Sequence, residues 1–121
     1  MKNIPKAVGP YSAYYKAGDF LYISGQLGIN PETNEIEGKT AAEQAKQSLE
    51  NLKTILELNG LTMKNIVKTM VLLDDINDFV SVNEVYATYF EEPYPARSAF
   101  EVGKLPKGGL VEIEAIAYFG K

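Results

Sequence analysis

Two stretches of the chain repeat apolar residues at helical spacing, and the first has recognisable start and stop signals. Its apolar positions recur at steps of four, three and four residues and lie on one face of a helix: Ala45, Leu49, Leu52 and Leu56. Thr40 and Glu43 have the spacing of a capping box, in which each side chain accepts a backbone N–H of the other residue. Gly60 is placed to terminate the helix after Asn59. The pattern predicts a helix from Thr40 to Asn59.

The second helical stretch carries its apolar stripe at Phe79, Val82, Tyr86 and Phe90. Asp78 is a good N-cap residue for this stretch. Pro93 and Pro95 follow it and cannot continue a helix. We predict a second helix from near Asp78 to about Phe90.

The remaining apolar segments have the composition and spacing of strands. The aromatic-rich segment Tyr11–Lys16 and the segment Phe20–Ser24 flank a turn at Ala17–Asp19, and we predict that they form a hairpin. A short third strand is placed around Ile36, and three longer strands follow. The predicted strands are Tyr11–Lys16, Phe20–Ser24, the residues around Ile36, Ile66–Leu73, Ala96–Val102 and Leu110–Phe119. The order β-β-β-α-β-α-β-β predicts an α+β domain with one sheet of about six strands and both helices on one face.

The last strand shows what the other face of this sheet carries. Val111, Ile113, Ala115 and Ala117 suit a core, whereas the alternate positions are Glu112, Glu114, Ile116 and Tyr118. A chain this small cannot hide the apolar residues of an uncovered face. Because that face mixes carboxylates with Ile and Tyr, we expect it to form a subunit interface that contains a polar pocket.

The amino-acid composition excludes several kinds of catalytic site, metal site and partner. The chain has 121 residues and a mass of 13.4 kDa, which fits one domain over residues 1–121. It contains no Cys and no His, which excludes disulfides, zinc sites built on those residues, and Ser-His or Cys-His nucleophiles. The net charge of −4 without a basic run argues against a nucleic-acid partner. Without a membrane-length apolar run or an N-terminal signal pattern, we expect a soluble, cytoplasmic protein.

Arg97 is the single arginine among 12 cationic residues. A chain that otherwise uses Lys places Arg where a flat, two-pronged donor is needed. The alternative is a compositional bias without functional meaning, and the count alone does not decide between them.

Glu112 and Glu114 point to the same face of the last strand, about 7 Å apart. Two carboxylates at this spacing can bracket a water molecule, as in a hydrolase, although Glu residues are also common on exposed strand faces. A Glu working with Arg97 is the more plausible pairing. If the last two strands formed a simple hairpin, Arg97 would pair near Ala115, and Glu112 would lie about 10 Å along the ladder. Either these strands are not hairpin partners, or a site for a small substrate combines side chains from two chains.

Other polar residues have structural as well as functional interpretations. Tyr11 follows a Gly-Pro turn and is most simply a packed aromatic with a hydrated hydroxyl. Ser24 and Gly25 offer a hydroxyl and an unshielded backbone amide. Gly25 and Gly28 indicate a bulge or a close approach of the backbone to a ligand. Asn83 is most simply a solvent-facing helix residue.

Several blocks of the chain together resemble the Rid family (reactive intermediate deaminases, also called YjgF). The longest block covers the last two predicted strands, and the others match the family in order along nearly the whole chain. The matching blocks are Tyr94–Val102, Leu105–Lys107 and Val111–Ala117, with Gly9–Ser12, Leu21–Gln26 and Asn77–Asn83 before them.

The resemblance implies a chorismate-mutase-like α+β fold and a homotrimer with three clefts between subunits. It implies hydrolysis of 2-imino acids of the 2-iminobutanoate and 2-iminopropanoate type to 2-keto acids and ammonia. Such imines arise from enamines such as 2-aminoacrylate, which pyridoxal-phosphate-dependent Ser/Thr dehydratases release. A protonated imine is already electrophilic, so positioning suffices and no metal or organic cofactor is implied.

The family's functional positions fall on residues suited to this reaction. The resemblance implies that Arg97 holds the substrate carboxylate and that Glu112 positions a water and takes its proton. It also implies that the pocket is lined by Tyr11, Ser24, Gly25, Asn83 and Ala99.

Two departures from the family pattern affect the pocket. Ala99 stands where many deaminase members have Cys, which bears on substrate preference more than on hydrolysis. The segment Glu91–Tyr94 is shorter than usual. A second function stays open, because the family includes proposed ligand-binding or regulatory proteins, chaperones, translation inhibitors and ribonucleases. A non-enzymatic binder of small carboxylates would use the same Arg97.

Overall fold

The computed structural model describes residues 3–7 and 9–120. The predicted domain, 1–121, also includes Met1, Lys2, Val8 and Lys121, which lie outside the described residues. The elements in chain order are β1 (Tyr14–Ala17), β2 (Phe20–Leu27), β3 (Ile29–Asn30), β4 (Glu35–Ile36), α1 (Ala41–Leu58), β5 (Ile66–Leu73), α2 (Phe79–Ala87), β6 (Ala96–Glu101) and β7 (Val111–Tyr118). Short 3₁₀ turns lie at Met63–Asn65, Ile76–Asp78 and Pro106–Gly108.

The main sheet has five strands in the order β1-β2-β7-β5-β6, and β3 and β4 form a separate two-stranded ribbon. The α+β prediction is confirmed, with a correction to the single sheet of about six strands. The strand predicted around Ile36 pairs with Ile29 just beyond β2 and does not join the main sheet. All neighbours in the main sheet are antiparallel except β5 and β6, which are parallel.

Helix α1 begins and ends as its capping residues predict. The Thr40 side chain accepts from the Glu43 backbone N–H, and the Glu43 carboxylate accepts from the Thr40 backbone. The backbone N–H groups of Lys39 and Thr40, which both donate to the Glu43 carboxylate, lower the pKa of Glu43. The predicted apolar stripe of α1 is fully buried in the main core, and the helix packs on β2 and β7.

Helix α2 begins where predicted, directly after Asp78, but it ends earlier than predicted, at Ala87. Asp78 makes no side-chain capping hydrogen bond. Asp75 instead caps the preceding 3₁₀ turn by accepting from the Asn77 N–H. The 3₁₀ turn Ile76–Asp78 runs directly into α2, which starts at Phe79. Its predicted stripe is confirmed, with Val82, Tyr86 and Phe90 buried and Phe79 partly buried.

A row of polar residues on α1 supports the chain where β2 ends. Ser48 Oγ donates to the Gln26 carbonyl at 2.6 Å, and Asn51 Nδ2 donates to the Ile29 carbonyl at 2.9 Å. Gly28 passes so close to the helix that an added Cβ would lie 2.5 Å from the Gln44 carbonyl oxygen. The sequence pattern predicted a bulge or a close approach to a ligand at these glycines, but the backbone at Gly28 approaches α1 instead. These contacts hold the irregular end of β2, which forms one wall of the site described below.

The sheet face opposite the helices carries large exposed side chains. Aromatic residues of β1, β2 and β6 are prominent there: Tyr15, Phe20, Tyr22 and Phe100 are all exposed. The alternation predicted for the last strand is confirmed, with Val111, Ile113, Ala115 and Ala117 buried beneath the helices. Neither helix of the described segments is long and apolar enough to cross a membrane.

Candidate active site

A β-bulge in β2 creates the first part of the site. Ile23 pairs with Ala115 and Gln26 pairs with Ile113, so two residues of β2, Ser24 and Gly25, lie opposite one residue of β7. Such a bulge leaves the extra residue outside the ladder and redirects the strand. The bulge that the glycine pattern predicted is confirmed at Gly25.

Beside this bulge lies a cleft of about 390 Å³ on the helix-free face of the sheet. It brings together four of the predicted site residues: Tyr11, Ser24, Gly25 and Glu112. The N-terminal segment and the 3₁₀ turn before β7 supply its rim, including Pro5, Lys6, Pro106 and Lys107. Glu114 also lines it. The cleft thus joins a carboxylate pair, a phenol, a hydroxyl and two ammonium groups.

Glu112 is half-buried against the backbone of β2. An added Cβ on Gly25 would lie 2.7 Å from both Cδ and Oε2 of Glu112, so this carboxylate occupies space that only glycine leaves open. Burial raises the pKa of Glu112, and the negative charge of Glu114 raises that pKa further. A carboxylate with a raised pKa is a stronger base than an exposed one.

Two hydrogen bonds from Ser24 to backbone carbonyl groups hold the wall of the cleft that Ser24 and Tyr11 form. Ser24 Oγ donates to the Ser12 carbonyl at 2.6 Å, and the Ser24 N–H donates to the Ala13 carbonyl at 3.0 Å. The Tyr11 N–H donates to the Gly9 carbonyl at 2.8 Å, forming a tight turn. The segment with Tyr11 is therefore tied to the bulge.

Arg97 and Asn83 lie together at a second place, beside α2. Arg97 Nη1 donates to Asn83 Oδ1 at 2.7 Å. The guanidinium carbon lies 4.8 Å from the ring centroid of Tyr86 and 5.4 Å from that of Phe79. Asn83 is a partner of the arginine, which corrects its simplest interpretation as a solvent-facing residue.

The two groups of residues are on opposite faces of one sheet. Arg97 is level with Thr69 on β5, which is level with Ala115 on β7. Thr69 and Ala115 are buried beneath the helices, so Arg97 shares the helix-covered face. Glu112 points to the other face, three residues along β7. The Cα atoms of Arg97 and Glu112 are about 14 Å apart, because they are separated by two strand spacings across the sheet and by three residues along the strand.

This arrangement decides how the last two strands are related. They are not hairpin partners, because β5 lies between β6 and β7. One chain therefore cannot bring Arg97 and Glu112 to the same three- or four-carbon molecule.

Ala99 lies on β6, level with Val71 of β5 and on the same face as Arg97. It is partly buried and packs against the main hydrophobic core. The cleft around Glu112 does not include it.

Sequence reasoning missed Lys6 and Lys107 on the rim of the cleft. Lys107 has a left-handed backbone, with φ of 60°, and its Nζ donates to the Asn34 carbonyl at 3.1 Å. Its position between Pro106 and Gly108, in a loop before a strand with two carboxylates, was the available signal. Within residues 3–7 and 9–120, no three carboxylates lie close enough to hold a metal ion.

Comparisons with known proteins agree on one family. The family model described as endoribonuclease L-PSP matches residues 1–119. A RutC family protein of Pyrococcus horikoshii is 53% identical over 117 residues, covering 97% of this chain and 93% of that protein. The 2-iminobutanoate/2-iminopropanoate deaminase of Homo sapiens is 48% identical over 116 residues, covering 96% and 85%.

Solved structures give the same result for the fold. RidA from an Antarctic Psychrobacter species has a TM-score of 0.91 at 50% identity, covering 96% of this chain and 94% of that one. TdcF of E. coli, solved with bound serine, has a TM-score of 0.89 at 42% identity, covering 96% and 93%. A match of this extent in both sequence and fold means that the chain belongs to the Rid (YjgF) family, whose family model carries the endoribonuclease L-PSP description.

Proposed function

We propose that this protein hydrolyses 2-imino acids of the 2-iminobutanoate and 2-iminopropanoate type to 2-keto acids and ammonia. The observation that carries the proposal is the cleft in which Glu112, with its raised pKa, faces Tyr11 and the Ser24–Gly25 bulge. The deaminase names of mammalian relatives at about 50% identity support it.

In this proposal the substrate is held by its carboxylate. Arg97 forms two parallel, charge-assisted hydrogen bonds to it, which a planar guanidinium does better than an ammonium. The Gly25 amide and the Ser24 and Tyr11 hydroxyls orient the imine nitrogen and the attacking water. Asn83 holds Arg97.

The bond changes balance without any cofactor. The water oxygen bonds to the carbon of the protonated C=N group, the π electrons move to nitrogen, and Glu112 accepts the proton that water loses. The resulting carbinolamine receives that proton on nitrogen from Glu112. The C–N bond then breaks as the C=O bond forms, the hydroxyl proton passes to the Glu112 carboxylate, and ammonia leaves and carries that proton away as ammonium. Because the protonated imine is electrophilic from the start, most of the acceleration comes from holding water and imine in line.

The proposal requires the site to be shared by two chains. Because Arg97 and Glu112 lie on opposite faces of the sheet, Arg97 of one protomer would have to face Glu112 of the next. The exposed aromatic residues of the helix-free face supply apolar area for such an association. A homotrimer with three equivalent clefts meets this requirement with closed symmetry.

The direct test is hydrolysis of imines made in situ by an amino-acid oxidase from alanine and 2-aminobutanoate. Semicarbazide traps the imine, so a hydrolase lowers the rate at which the trapped product forms. We expect the wild-type protein to suppress trapping and Glu112→Gln to do so far less while still binding the keto acid. Equal suppression by both proteins would contradict the role of Glu112.

A non-enzymatic binder of small carboxylates is the second candidate, because the same Arg97 would serve it. The trapping assay separates the two functions. A binder leaves the trapping rate at the value of the protein-free control, while keto-acid binding, measured by calorimetry, persists.

A further inference from the structure

Arg97 stands on an edge strand with an exposed, flexible side chain, and its use in the proposed function depends on a fixed orientation. An arginine loses about 2 kcal/mol of rotamer freedom when it is ordered. If that cost were met only on substrate binding, affinity would fall accordingly. What orders this guanidinium beforehand is therefore a functional question.

Helix α2 supplies three contacts to the guanidinium. Asn83 Oδ1 accepts from Nη1 at 2.7 Å, which uses one of five N–H donors. The rings of Tyr86 and Phe79 lie at 4.8 and 5.4 Å from Cζ, within the range of cation–π attraction. Contacts with ring faces take no N–H group, so the remaining donors of Arg97 stay available to an anion.

Of the two rings, Tyr86 is the more firmly held. Only 6% of Tyr86 is exposed, and its hydroxyl shares a hydrogen bond of 2.7 Å with Thr69 Oγ1. Its ring packs on Phe90 with a centroid distance of 4.5 Å. Thr69 is the β5 residue level with Arg97, so the same point of the sheet positions both the ring and the cation.

We propose that Tyr86 is a positioning residue for Arg97: its buried ring orders the guanidinium beside Asn83 before the substrate carboxylate arrives. The proposal rests on the proposed function for its consequence in binding, but the ordering itself is a property of the free protein. The buried ring provides the surface, and its packing on Phe90 holds that surface in place.

The single arginine makes this ordering directly measurable. Its Nε–H gives one arginine signal in a proton–nitrogen NMR spectrum, and ring currents of Tyr86 and Phe79 shift it from the value of a free arginine. We expect Tyr86→Leu to move this signal toward the free value and to sharpen it. Tyr86→Phe, which keeps the ring, is expected to retain most of the shift. An Arg97 signal unchanged in folded Tyr86→Leu would overturn the proposal.

A matched control addresses the cost of removing a buried side chain. Val82 is buried on the same helix, and Val82→Ala loosens α2 while both rings remain. We expect its Arg97 signal to match wild type. If Val82→Ala changes the signal as much as Tyr86→Leu, general loosening explains the effect and the proposal is wrong. Should Tyr86→Leu fail to fold, Tyr86→Met removes the ring with a bulkier apolar side chain, and an Arg97 signal unchanged in that variant would equally overturn the proposal.

Kinetic measurements then connect the ordering of Arg97 to function. For Tyr86→Leu we expect KM for the imine to rise at least about fivefold with kcat changing less than about twofold, and Tyr86→Phe to stay near wild type. A fall in kcat at unchanged KM would overturn the positioning role. If wild-type protein hydrolyses no imine, the proposed function fails, yet the NMR result still decides whether Tyr86 orders Arg97.

Discussion

Substituting Gly25 by Ala tests the position of Glu112 without removing any group that takes part in the reaction. The added Cβ would lie 2.7 Å from Cδ and Oε2 of Glu112, whereas ordinary contacts begin at 3.4 Å. The Glu112 carboxylate must therefore move by about 0.7 Å or more. It is able to do so, because it is the end of a flexible side chain beside an open cleft.

The size of the effect follows from this displacement. A misplacement of about 1 Å in a catalytic group costs up to roughly a hundredfold in rate. We expect Gly25→Ala to lower kcat/KM for imine hydrolysis by about tenfold to a hundredfold. The free energy of unfolding should stay within about 1 kcal/mol of wild type, because the displaced group moves into solvent.

Two other glycines provide controls. An added Cβ on Gly103 meets nothing within 4 Å, so Gly103→Ala should change neither rate nor stability. At Gly28 the added Cβ would meet the backbone of α1, so Gly28→Ala should destabilise the fold by about 1–3 kcal/mol. Imine trapping and thermal unfolding on the three variants measure both effects. A fully active Gly25→Ala would refute the role of the Glu112 position.

Three further predictions concern single residues. Removing the charge of Glu114 lowers the pKa of Glu112, so Glu114→Gln should move the acidic limb of kcat/KM to lower pH; an unmoved limb in the pH profile contradicts the coupling. Arg97→Lys keeps the charge but loses the planar fork and should cost at least about tenfold in kcat/KM; unimpaired turnover in the trapping assay contradicts the carboxylate contact. Thr40→Ala removes the helix cap and should cost about 1 kcal/mol of stability without affecting turnover; denaturant unfolding measures it.

Local sequence signals predicted most of the fold. The capping pair Thr40 and Glu43, the apolar stripe of α1 and the strand Ile66–Leu73, whose residues are nearly all apolar or β-branched, each depend on neighbours in sequence, and each is confirmed. The predicted start of α2 near Asp78 is confirmed, but the helix ends before Phe90, and Asp78 makes no capping hydrogen bond. The side-chain cap comes instead from Asp75, which accepts from the Asn77 N–H in the 3₁₀ turn before α2.

The order of the strands in the sheet could not be predicted from the local sequence pattern. Nothing in residues 96–119 reveals that β5 separates the two last strands, because that depends on a parallel pairing with β5. The sequence consequently left two alternatives open for Arg97 and Glu112. The contact between Tyr86 and Arg97 could not be predicted either, because the sequence pattern identified Tyr86 only as a member of the buried stripe of α2.

The central claim, a hydrolytic site made by two chains, is tested most directly by mixing two inactive variants. Arg97→Ala and Glu112→Gln chains are co-expressed in equal amounts and purified as one oligomer. In a closed cyclic assembly, about a quarter of the sites then combine an intact Arg97 with an intact Glu112 from neighbouring chains. We predict that the mixed oligomer recovers about a quarter of wild-type imine hydrolysis. Activity no higher than that of the two variants assayed separately would contradict a shared site.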